Sequence, residues 1–240
     1  MRKTTSESRT GSGRDAARTT RWLHYALDLW ALRWRQREAT GDMIIVRYAD
    51  DFIVGFQHES DARRCLDEMR ERLQEFALTL NPEKTRLIEF GRFAAERRKR
   101  KGLGKPETFN FLGFTFICGK TRQGTFQIKR KTRRDRMRAK LGMLKQEMWR
   151  RMHQPIPVQG KWLGHVVRGY FNYHAVPTNG QALVVFRNET AKRWHRVLNR
   201  RSERARLNWE QMKRLTDEWL PKPRILHPWP NKRFAVSHPR

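Results

Sequence analysis

Cysteine is scarce in this sequence: Cys65 and Cys118 are the two thiols among 240 residues. Two thiols cannot build a disulfide framework or a zinc site, and both lie in apolar-periodic stretches, so buried, reduced core residues are expected. Long hydrophobic runs are missing as well. No stretch approaches the roughly 18 to 20 apolar residues of a spanning helix, and the N-terminal cations have no apolar segment behind them. The expectation is a cytoplasmic protein without a membrane partner. The eight histidines show no ligand spacing with cysteine or carboxylate, which gives no support to a structural metal. Negative charge is the remaining shortage. Asp and Glu number 24 against 53 Lys and Arg, a formal charge of +29 spread along the whole chain, and such a chain needs a polyanion as partner. With 38% hydrophobic and 11% aromatic residues it can still build real cores.

Residues 1–21 mix Gly, Ser, Thr and Arg without apolar periodicity and read as a disordered lead-in. Trp22, Tyr25, Ala26, Leu29 and Leu32 then recur at helical spacing until Thr40, Gly41 and Asp42 break the pattern. MIIVRY (43–48) and FIVGF (52–56) are short β-type runs around Ala49, Asp50 and Asp51, predicting a hairpin with carboxylates at its tip. A helix is expected over about 60–77, with Leu66, Met69, Leu73 and Phe76 on one face. Strands are expected at TRLIEF (85–90), FNFLGFTFIC (109–118) and TFQIKRK (125–131). Beyond Lys131 the pattern is helical. A capping box of Thr132 with Asp135 opens the first helix, and others are expected near 158–174, 181–200 and 208–220, the last opened by Asn208 with Gln211. The expected fold is α+β over 22–131, an all-α domain over 132–220 and a basic extended tail over 221–240.

Adjacent aspartates at a hairpin tip repel unless a cation neutralises them. Oxygen-only ligands favour Mg²⁺, held by carboxylates together with substrate phosphates. The same pair also makes an ordinary solvated turn, and spacing alone leaves both readings open.

Ordered blocks go further. RYADDFIVGF, LTLNPEKTRLIEFG and FNFLGFTF, preceded by LHYALDLW through GDMIIV and followed by WLGHVVRGYFNYHAVPTNG and LPKPRILHPWPNKRFAVSHPR, resemble successive blocks of group II intron reverse transcriptase/maturases, nearest the bacterial group IIC type. The resemblance implies a partial polymerase palm, an antiparallel sheet with packed helices, followed by a helical thumb or maturase domain. It makes Asp50 a metal-ligating carboxylate with Asp51 beside it. Tyr48 and Ala49 would line the primer terminus and template path, and Lys84 would approach the nucleotide phosphates or stand as a solvated turn lysine. Leu112, Gly113 and Phe114 would form a primer grip or plain sheet core. The implied reaction is DNA synthesis on an RNA template from a DNA primer and deoxynucleotides, at a site of two Mg²⁺ ions about 3.5 to 4 Å apart. A further aspartate that such a site requires has no counterpart strand here; Asp15 lies in the lead-in, and Asp28 is assigned to the polar side of its helix. A truncated form without fingers is therefore expected, inactive alone or joined by an N-terminal reverse transcriptase fragment.

Cations interleave with aromatics in the helical part: Arg168, Tyr170, Phe171, Tyr173 and His174, then Lys192, Arg193, Trp194, His195 and Arg196. That mixture suits phosphates and unpaired bases of structured RNA, although Trp162, Val166, Tyr170, Trp194 and Leu198 have core spacing. Arg97, Arg98, Lys99, Arg100 and Lys101 lie in the run 96–105, expected as a mobile basic loop. The resemblance makes the host intron RNA the partner, bound for splicing and mobility. Two alternatives remain: a non-catalytic RNA-binding maturase remnant, and a general basic RNA-binding protein.

Overall fold

A computed structural model of the chain describes residues 24–201 and 206–230. The chain divides into two compact units, Met1–Ile88 and Glu89–Arg240. The described part mixes helices with small antiparallel sheets, the α+β composition expected.

In the first unit a π-helical turn, His24–Asp28, runs into helix α1, Leu29–Arg37. Ala26, Leu27, Ala31 and Trp34 face the core, whereas Tyr25 and Leu32, expected there, are exposed. A turn closing from residue i to i+5 shifts everything after it around the axis, so one 3.6-residue stripe cannot describe the segment. Trp22 lies outside the described residues. Strands β1 (Met43–Tyr48) and β2 (Asp51–Phe56) pair antiparallel, with Tyr48 opposite Asp51. The connection is thus two residues, Ala49 and Asp50, rather than the three expected, because Asp51 already belongs to the ladder. Helix α2 (Glu59–Gln74) packs Ala62, Cys65, Met69 and Leu73 inward. Cys65 takes the place expected of Leu66, and burial pushes its thiol pKa up to about 12. The carboxylate of buried Asp61 accepts from the Thr40 N–H at 2.8 Å and from its hydroxyl, clamping the turn before β1 onto α2. Burial would raise the Asp61 pKa, but these bonds and one from the Gly41 N–H outweigh it and hold the group below its ordinary value.

Residues 85–90 form no strand; no described strand pairs with them. The preceding turn is held instead by the Asn81 side chain, which accepts from the Glu83 and Lys84 amides.

In the second unit, helix α3 (Ala94–Arg100) takes up the first half of the expected basic loop, residues 96–100 of 96–105. Its cations fall in the last turn, where helix-end carbonyls favour them. Strands β3 (Phe109–Phe111), β4 (Phe114–Lys120) and β5 (Phe126–Thr132) form an antiparallel meander. The run 109–118, expected as one strand, breaks at Leu112 and Gly113. Their φ values of 46° and 75° fold it into a tight hairpin pairing Phe111 with Phe114.

Helices α4 (Arg134–Arg150), α5 (Ile156–His174), α6 (Gly180–Arg201) and α7 (Trp209–Trp219) enclose a core of Leu144, Met148, Leu163, Phe186, Trp194 and Met212. Pro155 and Pro157 sit at the start of α5, where a missing N–H costs nothing. Gly160 and Gly164 share one face of α5 and leave room for Trp219: a Cβ at Gly164 would lie 2.7 Å from the Trp219 carbonyl oxygen. The capping box of Asn208 with Gln211 forms as expected. The one at Thr132 does not: the Thr132 hydroxyl is taken by Asn179, and Asp135 pairs with Arg133. Asn179, fully buried in the break before α6, accepts from the Thr132 amide and donates to the Thr132 hydroxyl and the His174 carbonyl. It ties the end of β5 to the α5–α6 connection. The described part of the tail returns to α5, with the Leu226 amide donating to the Ala175 carbonyl.

Candidate active site

MIIVRY and DFIVGF are β-branched and aromatic runs, and the alternation required by a half-buried sheet sends Met43, Ile45, Phe52, Val54 and Phe56 to the core. The opposite face exposes Ile44, Val46 and Tyr48. Two strands closed by two residues push the carboxylates out: Asp50 occupies the tip, Asp51 begins β2 directly across from Tyr48, and both aspartates are exposed. Ala49 holds φ at 51°, the left-handed region that lets so short a turn close.

One contact at this tip is absent from the sequence expectations. Arg47 reaches across from β1 and donates twice to Asp28, from Nε at 2.7 Å and from Nη2 at 2.6 Å, while its Nη1 donates to the Ala49 carbonyl at 3.0 Å. The guanidinium therefore ties the hairpin tip to the turn leading into α1. Burial would raise the Asp28 pKa, but hydrogen bonds from Arg47 and His24 prevail and hold it below the usual carboxylate range. Asp28 raises the Arg47 pKa in return, with Asp50 adding a smaller effect. Asp28 is thus a partner of Arg47 rather than a group on an open polar face. No periodicity rule links residues 28 and 47, so only the fold brings them together.

Whether these carboxylates suit a metal follows from their number and exposure. Mg²⁺ usually takes one or two protein carboxylates and fills its remaining positions with water and phosphate oxygens. Asp50 and Asp51 fit that partial role. Among the described residues no group of three or more His, Cys, Asp or Glu could hold a metal ion. Two metals need more carboxylate than this tip provides.

Lys84 belongs to the same unit, exposed on the Asn81-capped turn, and no described hydrogen bond or ion pair joins it to Asp50 or Asp51. Leu112, Gly113 and Phe114 belong to the second unit, at the β3–β4 hairpin. The Tyr173 hydroxyl donates to the Leu112 carbonyl at 2.8 Å, and the Phe114 ring is buried and stacks on Tyr173 with centroids 5.6 Å apart.

The cations proposed from sequence divide into two groups. Arg97, Lys99, Arg100, Lys101, Arg168 and Arg196 are exposed, and Arg98 donates to the Gly104 carbonyl. Lys192 and Arg193 are both engaged by Glu189, at 3.1 and 2.5 Å, and these bonds depress the Glu189 pKa. Of the aromatics, Tyr170, Phe171 and Trp194 are core, as spacing suggested, and the Trp194 indole N–H donates to buried Gln159. Tyr173 is 52% exposed.

Comparison with known proteins adds one match. Residues 17–116, less than half of the chain, match the family model described as reverse transcriptase (RNA-dependent DNA polymerase). The match supports a reverse transcriptase and includes both the Asp50 hairpin and the Gly113 turn. No curated protein matches the chain. Among the described residues, no helix is long and apolar enough to cross a membrane.

Proposed function

We propose that this chain carries the carboxylate hairpin of an RNA-directed DNA polymerase of the group II intron maturase type, with a basic helical unit that holds RNA. The observation that carries the reading is the tip itself. Asp50 projects from a two-residue turn fixed by Arg47, inside a segment that matches the reverse transcriptase family. Asp50 with Asp51 would hold Mg²⁺, which supplies charge stabilisation at the phosphate under attack. The protein's own part is positional. Arg47 fixes the backbone at Ala49, Tyr48 exposes a ring beside the carboxylates for the primer end, and Lys84 offers an exposed cation for nucleotide phosphates. Leu112, Gly113 and Phe114 present a rigid turn to the primer strand, and the exposed cations of α3, Arg168 and Arg196 grip intron RNA through its phosphates. A second reading, an RNA-binding remnant without polymerisation, is favoured by the absence of a third carboxylate near the pair among the described residues.

The test is extension of a DNA primer on an RNA template by the full chain in Mg²⁺, beside Asp50→Asn. Extension that falls to background in the variant supports the polymerase reading. Template retention without extension, equal in both proteins, supports the remnant. Neither extension nor retention removes both.

A further inference from the structure

Lys140 stands one turn after Arg136 on α4, so both cations face the same way. Both are exposed, and among the described residues neither side chain has an ion-pair or hydrogen-bond partner. They form one wall of an open groove of about 410 Å³ whose other wall is α5. Helix α5 contains no acidic residue, so nothing in it offsets the two cations. At its centre Gly169 leaves a gap: nothing lies within 4 Å of the place a Cβ would occupy.

The aromatic wall is built rather than incidental. Tyr173 is held by its hydroxyl bond to the Leu112 carbonyl and by Phe114 stacked on its ring, yet half of it stays exposed. His174 stands edge-on to it at 4.9 Å and lies 4.2 Å from Tyr170, which is itself stacked on Phe186 at 3.5 Å. Burial lowers the His174 pKa to about 4, so its ring is neutral at pH 7 and adds an aromatic surface rather than a third cation. A fixed ring opposite two unpartnered cations is the pairing that holds a single strand, by stacking a base and neutralising the phosphates beside it.

We infer that the α4–α5 groove is a binding site for an unpaired nucleotide within a single strand, its base on Tyr173 and its flanking phosphates on Arg136 and Lys140. This rests on the reading of the chain as a nucleic-acid-binding protein. It locates that function at residues outside the exposed cations already named.

The experiment uses the full chain with short single strands of 5-iodouridine-substituted oligouridylate and of its deoxy counterpart. Strands are photocrosslinked and the adducts mapped by peptide mass spectrometry. Adducts on Tyr173, Tyr170 or His174 are expected. Labelling by both strands identifies base and phosphate as the recognised chemistry, and labelling by RNA alone adds the ribose hydroxyl. The double variant Arg136→Glu with Lys140→Glu should lose these adducts and lower the slope of log affinity against log salt by about 1.4, at about 0.7 per phosphate contact. A charge-matched control, Lys105→Glu with Lys213→Glu, should keep the adducts. Adducts confined to other sites, or an equal loss in the control, overturn the groove. Primer extension at Asp50 is read separately. Labelled groove without extension leaves this site standing while the polymerase reading falls, and extension with an unlabelled groove does the reverse.

Discussion

At the scale of single residues, Arg47 connects the carboxylates to the rest of the first unit. Its bidentate bond to Asp28 and its bond to the Ala49 carbonyl are charge-assisted, and Arg47 is largely shielded from solvent. Asp28→Asn keeps the shape of the partner but removes its charge and one acceptor, leaving the guanidinium half-paired. The expected cost is about 1–2 kcal/mol, since hydrogen bonds to charged groups are worth roughly 1.5–3 kcal/mol and this pair is partly solvated. A urea titration of the variant measures it, and an unchanged midpoint would show that the pair is ornamental. The place of the aspartate pair at a hairpin tip was legible in the sequence because two β-type runs bracket it. Arg47 and Asp28 were not: nineteen residues separate them, and no local pattern reports a pairing made by tertiary folding.

At the scale of elements, sequence reading succeeded where one period ran uninterrupted and failed where it changed. Helices α4 to α7 fall close to their expected spans because apolar stripes and prolines bound them. The π turn before α1 and the Leu112 and Gly113 turn are interruptions of a period, and each misdirected the reading next to it. The segment 85–90 has strand-like composition, but a strand exists only when another pairs with it. A pH dependence belongs at this scale as well. His174 ends α5 beside Thr132 and Asn179, and burial takes its pKa from an ordinary 6.5 to about 4. Between those values the unfolded chain binds a proton that the folded chain excludes, so stability is complete above pH about 6.5 and declines as pH falls toward 4. The loss is on the order of 2 kcal/mol after allowance for partial exposure. Denaturant midpoints measured from pH 7.5 down to pH 4.5 follow it, and His174→Gln should flatten the curve in that window. Carboxylates with depressed pKa values, Asp28 and Glu189 among them, act at lower pH and do not mask it. An unchanged slope in the variant would remove His174 as the cause.

At the scale of the whole molecule, a formal charge of +29 and a pair of exposed carboxylates at one tip are opposites that make sense together on nucleic acid. On the proposed function, cations spread along the chain would hold phosphates without reading sequence, while the tip concentrates the negative charge that a hard divalent cation would need. The division into two units keeps these tasks on separate frames: Asp50 and its support in Met1–Ile88, and the basic helices with the Tyr173 groove in Glu89–Arg240. The central claim is that the Asp50 tip is a metal-bearing site. Its most direct measurement replaces Mg²⁺ with Fe²⁺ on the full chain bound to a primed RNA template, and generates hydroxyl radicals with ascorbate and peroxide. Backbone cuts clustered around residues 48–52, lost on addition of excess Mg²⁺ and absent in Asp50→Asn, are the predicted result. Cuts scattered without a cluster there, or a cluster that survives in the variant, would contradict the account.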